Sequence, residues 1–307
     1  MRISRRLLSA AASASTANPS EIAFFSRLSQ QWWDESGEFA FLHRMNPVRV
    51  GYIRDKILAT IEDEAPTPAQ GRETVRALGP RPLAGLDILD VGCGGGLLCE
   101  SLARLGGRTL GIDASSSNVA IATLHASQDP RLSGSTPSSN ERPQPLEYKH
   151  TTSEELLASG ASRPQFDVVC SMEVLEHVDH PDKFLRSCAD LVKPGGHLFL
   201  STISRTPLSQ FLTITMAENI LGLVSRGTHD HTKYVKPSEL VQFFSDELGW
   251  IRRPSNGSPG NLPFDQAELR GMAYLPWAGK WILSPRGAPM ELDCNYLFWA
   301  RKPKTPQ

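Results

Sequence analysis

The run Leu89-Asp90-Val91-Gly92-Cys93-Gly94-Gly95-Gly96-Leu97-Leu98-Cys99 constrains this chain more than any other stretch. An apolar segment, Leu86 to Val91, ends in an acid and a glycine cluster. Leu98, Leu102 and Leu105 then recur at spacings of four and three, which predicts a helix over Leu97–Arg104. Strand, glycine turn and helix together set backbone N–H groups and a helix N-terminus against a ligand. Glycines let the backbone come close where a Cβ would collide.

Downstream, strand and helix signals alternate. Strands are predicted at Asp87–Val91, Arg108–Ile112, Leu146–His150, Phe166–Cys170 and His197–Ser201, with helices at Ser115–Ala126 and Pro181–Leu191. Five such alternations imply an α/β fold, a mostly parallel sheet with helices on both faces. Ligands of such sheets sit at the carboxyl ends of the strands. Gly92 to Gly96, Asp113 and Met172-Glu173 all fall on that edge. Asp113 stands 21 residues after Gly92, at the tip of the second strand, where a carboxylate accepts from ribose hydroxyls. The alternative for Asp113 is a cap on the following helix. Asp90 is either a turn residue or a water-mediated ligand contact. Thr152 or Ser153 is placed near the ligand's base.

Other segments have less regular patterns. Ser20 is expected to cap a helix that carries Phe24, Phe25, Leu28 and Trp32. Trp32 to Arg49 is dense in aromatic, His and Arg residues without a regular period, as in segments that close over a site. Arg49–Leu58 reads as helix, and Thr60–Pro82 as polar linker. Residues 128–145 read as a loop insertion, and 255–289 as an irregular C-terminal insertion with no assigned role. Pro207–Val224 reads as one further helix with a wide apolar arc, opposite Thr215, Glu218, Asn219 and Gly222. It either packs on the core or, within a lid segment 207–226, lies on a membrane surface. His229 and His231 follow it, facing either the substrate or their own loop. Cys294–Arg301 reads as a last strand at an antiparallel edge.

Composition narrows the function classes. A net charge of -1 over 307 residues argues against a nucleic-acid binder with a basic face. Five scattered cysteines without a CxxC pair suit free thiols in a reducing compartment. Residues 1–20 are basic and Ser-rich, with no acid before Glu21, the composition of a mitochondrial presequence; cleavage is expected near Ala14 to Ser20. Residues 21–307 then form a single domain.

Two ligand classes compete for the glycine turn. A pyrophosphate site takes G-x-G-x-x-G, but the sixth position here is Leu97. Leu-Asp-Val-Gly-Cys-Gly-Gly-Gly resembles motif I of the class I S-adenosylmethionine-dependent methyltransferases. Phe166-Asp167-Val168-Val169 and Leu191-Val192-Lys193-Pro194-Gly195-Gly196 resemble their later motifs. Trp32-Trp33-Asp34, Leu42-His43-Arg44-Met45-Asn46-Pro47, Met172-Glu173-Val174-Leu175-Glu176-His177-Val178 and Gly227-Thr228-His229-Asp230 narrow this further. They resemble the ubiquinone-biosynthesis O-methyltransferases, over about Glu21 to Leu248 and Asp293 to Arg301.

That resemblance implies a Rossmann-like, mostly parallel seven-stranded sheet with an antiparallel C-terminal edge. It implies transfer of a methyl group from S-adenosylmethionine to catechol-type hydroxyls of polyprenylated rings, a dihydroxybenzoate and a demethylated quinol. Cofactor contacts are implied at Arg49, Gly92, Gly94, Asp113 and Met172, and a Mg2+ site at Glu173, Glu176 and His177. Glu173 and His177 are the candidate catalytic groups. At i, i+3 and i+4 the Mg2+ trio shares one face if the turn is helical. Two carboxylates suit Mg2+, which leaves His177 as ligand or as general base. Without the resemblance, Glu176 and His177 read equally as ordinary turn residues. The expected setting is the matrix side of the mitochondrial inner membrane, as a peripheral member of a multi-subunit complex. The rival activity is methylation of another small phenol or quinone.

Overall fold

The computed structural model describes residues 15–132, 145–159, 166–252 and 262–304. One sheet contains β1 (Asp87–Val91), β2 (Arg108–Asp113), β3 (Leu146–His150), β4 (Phe166–Met172), β5 (Val192–Ile203), β6 (Ala267–Leu275), β7 (Lys280–Leu283) and β8 (Asn295–Arg301). Its order is β3-β2-β1-β4-β5-β8-β6-β7. The first five strands pair in parallel, and β8, β6 and β7 join antiparallel. From β1 the chain runs outward to β3, then returns to β4 on β1's other side. The crevice at the carboxyl ends of β1 and β4 is therefore the switch point.

Near-continuous apolar runs form the central strands, as burial on both faces requires. Side chains alternate across the sheet. Leu89, Val169, Leu198 and Leu200 pack on one face with Phe184 and Leu185 of α7 (Pro181–Leu191). Ile88, Val168, Cys170 and Phe199 pack on the other face with Met45, Ile53 and Ile57 of α2 (Ala40–Asp63).

The architecture matches expectation in class and differs in detail. Among the described residues the sheet has eight strands, not seven. The added pairing comes from 255–289, whose described part supplies β6 and β7 rather than irregular chain. The strand expected at the edge, β8, lies between β5 and β6, and the edge strand is β7. α1 (Pro19–Leu28) is capped by Asn18, whose side chain accepts from the Ser20 and Glu21 N–H groups; Ser20 is not the cap. α2 starts at Ala40, well before the expected Arg49, and runs through Pro47. Its amphipathic signal is blurred because it packs against both the sheet and the helix at Pro68–Ala77. The expected linker contains α3 (Pro68–Ala77), with Thr67 accepting from Gln70 N–H and Pro68 in the first turn. The 1–20 and 128–145 assignments fall largely outside the described residues. Thr16 and Asn18 are nonetheless docked, through Thr16 Oγ1 to Glu154 Oε1 at 2.6 Å and Asn18 Nδ2 to Asp179 Oδ1 at 2.6 Å.

The largest departure follows β5. Only Pro207–Ser209 is α-helical, and Gln210–Ile220 is a π-helix. A π-helix closes i→i+5 bonds, so a wheel drawn at 3.6 residues per turn assigns the wrong faces. Glu218, placed on the polar side by that wheel, is buried, whereas Phe211, Leu212, Ile220, Leu221 and Leu223 are exposed.

Candidate active site

The glycine turn links β1 to α4 (Leu97–Arg104). Gly94 has a φ of +53°, and a Cβ there would lie 2.3 Å from the Trp32 ring. At Gly92, φ +77°, it would lie 2.5 Å from Val174. The turn is thus close-packed from the N-terminal segment and from the end of β4. Trp32 is fixed in turn: its Nε1 donates to Asn118 Oδ1 at 3.0 Å and its ring stacks on Phe39. Trp33 Nε1 donates to Gly95 O at 3.0 Å.

Asp113 braces the same turn. Its Oδ2 accepts from Gly94 N–H at 2.8 Å, and its Oδ1 from Ser115 N–H at 2.8 Å and Asn118 Nδ2 at 3.3 Å. Burial pushes its carboxyl up, against those backbone donors. The cap of α5 (Ser116–Ser127) is Ser115, not Asp113. Each carboxylate oxygen has further acceptor capacity, and Asp113 lines the large cavity described below, as Gly92 and Gly94 do. Asp90 does not. It is buried, accepts from Cys99 Sγ at 3.1 Å, and is pushed up to about 6 chiefly by burial. Thr152 caps α6 (Ser153–Ala158), and Ser153 pairs with Ser187, so neither lines the cavity.

Arg49 lies behind the cavity wall rather than in it. It is buried, its Nη2 reaches Leu42 O at 3.5 Å, and its Nε has no partner. Burial lowers its pKa, while Glu173 and Asp90 work the other way, so the guanidinium sits in the field of two acids. Met172 and Glu173 do line the cavity. Glu173 is strained, with φ +57°, and its buried Oε1 is unpartnered. Burial, and then Glu176, push its carboxyl up to about 6; Arg49 pulls the other way.

The three residues expected to hold Mg2+ are each committed elsewhere. Glu176 Oε2 accepts from Thr202 Oγ1 at 2.8 Å. His177 Nδ1 lies 3.2 Å from Glu21 Oε2. Glu173 Oε2 lies 3.5 Å from Asn295 Nδ2, and its buried Oε1 has no partner. Glu176 and His177 belong to a single 3-10 turn, Leu175–His177, and Glu173 precedes it. Among the described residues no group of three His, Cys, Asp or Glu side chains forms a metal site. The trio as placed does not fit a three-ligand cation site, a correction to the expectation. His177 is instead an ion-pair partner. Burial alone would lower its pKa, but Glu21 and Glu176 outweigh this and raise it, favouring imidazolium.

Three further residues contribute, of which sequence reasoning missed Glu21 and Glu218. Glu21 of α1 reaches His177 and Lys233 across the cavity wall. Trp32 covers the glycine turn. Glu218 of the π-helix accepts from His229 Nδ1 at 2.6 Å and from the N–H groups of Gly227 and His229, both at 2.9 Å. The aromatic density of Trp32–Arg49 pointed to the second; the other two are long-range or depend on π winding.

These elements enclose a cavity of about 710 Å³. One end is the glycine turn, Asp113 and Met172. The other is apolar, walled by Phe211, Leu212, Leu221 and Leu223 from the π-helix region and by Trp281 and Met290 from the β6–β7 side. Positive-φ glycines and an acid at the tip of β2 fit an adenosyl ligand without a phosphate.

Comparison with known proteins agrees. The methyltransferase-domain family matches residues 64–250. The chain is 38% identical to the ubiquinone biosynthesis O-methyltransferase of Brucella ovis over 293 residues, 94% of this chain and 97% of that protein. It is 39% identical to that of Bradyrhizobium diazoefficiens over 286 residues, 93% and 94% of the two chains. The fold is shared with a Thermotoga maritima S-adenosylmethionine-dependent methyltransferase described as a possible histamine N-methyltransferase. That match has a TM-score of 0.50 and 12% identity, and covers 92% of this chain and 99% of the other. The chain therefore belongs to the ubiquinone biosynthesis O-methyltransferases, S-adenosylmethionine-dependent enzymes on a Rossmann-like methyltransferase fold.

Proposed function

We propose that the chain methylates a catechol-type hydroxyl of a polyprenylated dihydroxybenzoate and of demethylubiquinol. One observation carries this reading: a single cavity joins the glycine turn and Asp113 to a long apolar mouth. S-adenosylmethionine supplies an activated methyl group on a sulfonium. The chain's own residues hold it on the turn, orient the phenol oxygen and exclude water. The exposed apolar side chains Phe211, Ile220, Leu221 and Leu223 suit the surface of a bilayer from which a lipid-tailed ring enters. The setting proposed is the matrix face of the mitochondrial inner membrane, within a multi-subunit assembly. Docking of Thr16 and Asn18 favours a presequence cut on the N-terminal side of Thr16.

Mg2+ has no part in this reading, because among the described residues no three His, Cys, Asp or Glu side chains are grouped to hold it. The test is methyl transfer from labelled S-adenosylmethionine to a prenylated dihydroxybenzoate on liposomes, after EDTA treatment and after Mg2+ readdition. Transfer to the catechol ring is the expected result. Transfer only to unprenylated phenols would replace the reading with the small-phenol alternative, and dependence on added Mg2+ would restore the metal.

A further inference from the structure

Two imidazoles line the cavity, and they are held differently. His177 is paired with Glu21 and surrounded by acids that favour its protonated form. His229 is held by Glu218 alone. A carboxylate only accepts, so the His229 nitrogen 2.6 Å from Glu218 Oε1, Nδ1, carries the proton. In the neutral ring that leaves the lone pair on Nε2, which has no protein partner among the described residues. The loop bearing His229 is fixed at both ends. Glu218 takes the Gly227 and His229 N–H groups, and Glu38 takes Ser225 N–H at 2.6 Å and its hydroxyl at 3.0 Å. Glu218 is 4% exposed, so its carboxylate is shielded and directional. Burial alone would raise its pKa, yet the His229 bond and the loop N–H groups lower it, and it stays ionised. The other groups facing His229 are Tyr234, whose ring centroid is 6.2 Å away, and, at longer range, Glu173 at the end of β4.

We infer that His229, oriented by Glu218, is the general base that takes the phenolic proton during methyl transfer. This rests on the catechol reading above. A phenol near pH 7 is ionised in roughly one molecule per thousand, so a positioned base has a large role. Phenolic O–H gives its proton to Nε2. The oxygen's electron pair forms the bond to the methyl carbon. The carbon–sulfur bond breaks with its pair going to sulfur, leaving S-adenosylhomocysteine and the methyl ether. The imidazolium then returns its proton to water. Glu218 is the positioning residue: it fixes the tautomer and stabilises the imidazolium without itself taking the proton.

The experiment uses the full chain and two prenylated catechols, one plain and one acidified by a ring nitro group so that it is largely ionised at neutral pH. His229→Ala, His229→Asn and Glu218→Gln are compared with the unaltered protein. Calorimetric S-adenosylmethionine binding on each preparation identifies variants that keep the cofactor site. In those variants kcat on the plain catechol should fall about 100-fold or more for His229, and less for Glu218. The loss on the acidified catechol should be under about tenfold, because no proton remains to be removed. The variant rate on the plain catechol should also keep climbing as pH rises toward the phenol's own pKa. Equal losses on both catechols, or no loss, overturn the base assignment and leave the catechol reading standing. An unaltered protein that binds S-adenosylmethionine but methylates neither catechol overturns both.

Discussion

Gly94→Ala tests whether the N-terminal segment is part of the cofactor site. At φ +53° an alanine sits in the left-handed region, at a cost of about 1–2 kcal/mol. Its Cβ would also lie 2.3 Å from one Trp32 ring carbon and 2.5 Å from another, so the indole must leave. Leaving breaks the 3.0 Å bond to Asn118 and the 3.8 Å stack on Phe39. Those two losses together amount to about 1–3 kcal/mol. The single variant should therefore lose about 2–5 kcal/mol of unfolding free energy. In Trp32→Ala the indole is gone, and adding Gly94→Ala then costs only the backbone term. A double-mutant cycle by urea denaturation should return a coupling of about 1–3 kcal/mol. Calorimetry on the same four proteins should show weaker S-adenosylmethionine binding in both singles. If the two substitutions add to within about 0.5 kcal/mol, Trp32 does not bear on the turn and the reasoning fails.

Asp113→Asn turns an amide NH2 toward one of two backbone donors, Gly94 or Ser115. One charge-assisted bond is lost, so unfolding free energy should fall by about 1.5–3 kcal/mol in urea denaturation; a change under about 0.5 kcal/mol refutes the bracing role. His197, buried and held by Trp299 Nε1 at 3.0 Å, has its pKa lowered from 6.5 to about 4, chiefly by burial and then by Arg301. The unfolded chain binds that proton first as pH falls, so stability is full above about pH 6.5 and declines toward pH 4. Between pH 7.5 and 5 the loss from this group should be about 2 kcal/mol by denaturant titration, and His197→Gln should flatten that slope; an unchanged slope refutes it.

Much of the architecture is legible in the sequence because its signals are local. β1, β3, α4 and α7 have the bounds that apolar runs and punctuation give, and Gly92, Gly94, Asp113, Met172 and Glu173 meet at one cavity as their strand-end positions require. What was not legible depends on partners distant in sequence. Glu21 meets His177 across 156 positions, and the insertion pairs as β6 and β7 only because β8 offers it an edge. The π-helix defeats any reading at 3.6 residues per turn, which is why Glu218 pointed outward in the sequence and inward in the fold. The metal trio depends on long-range partners too: Glu176 turns to Thr202 of β5 and His177 to Glu21 of α1.

The docked strap at Thr16–Asn18 has a practical side. Residues that look like the discardable front of the chain are tied to Glu154 and Asp179, and α1, which they lead into, forms part of the cavity wall. The segment from Thr16 through α1 is thus part of the cavity's frame. A tag joined directly to Thr16 abuts the reaction chamber, and a truncation of residues 1–20 chosen by composition alone removes a piece of its wall. Handles for purification or labelling belong after β8, on the far side of the sheet's carboxyl edge.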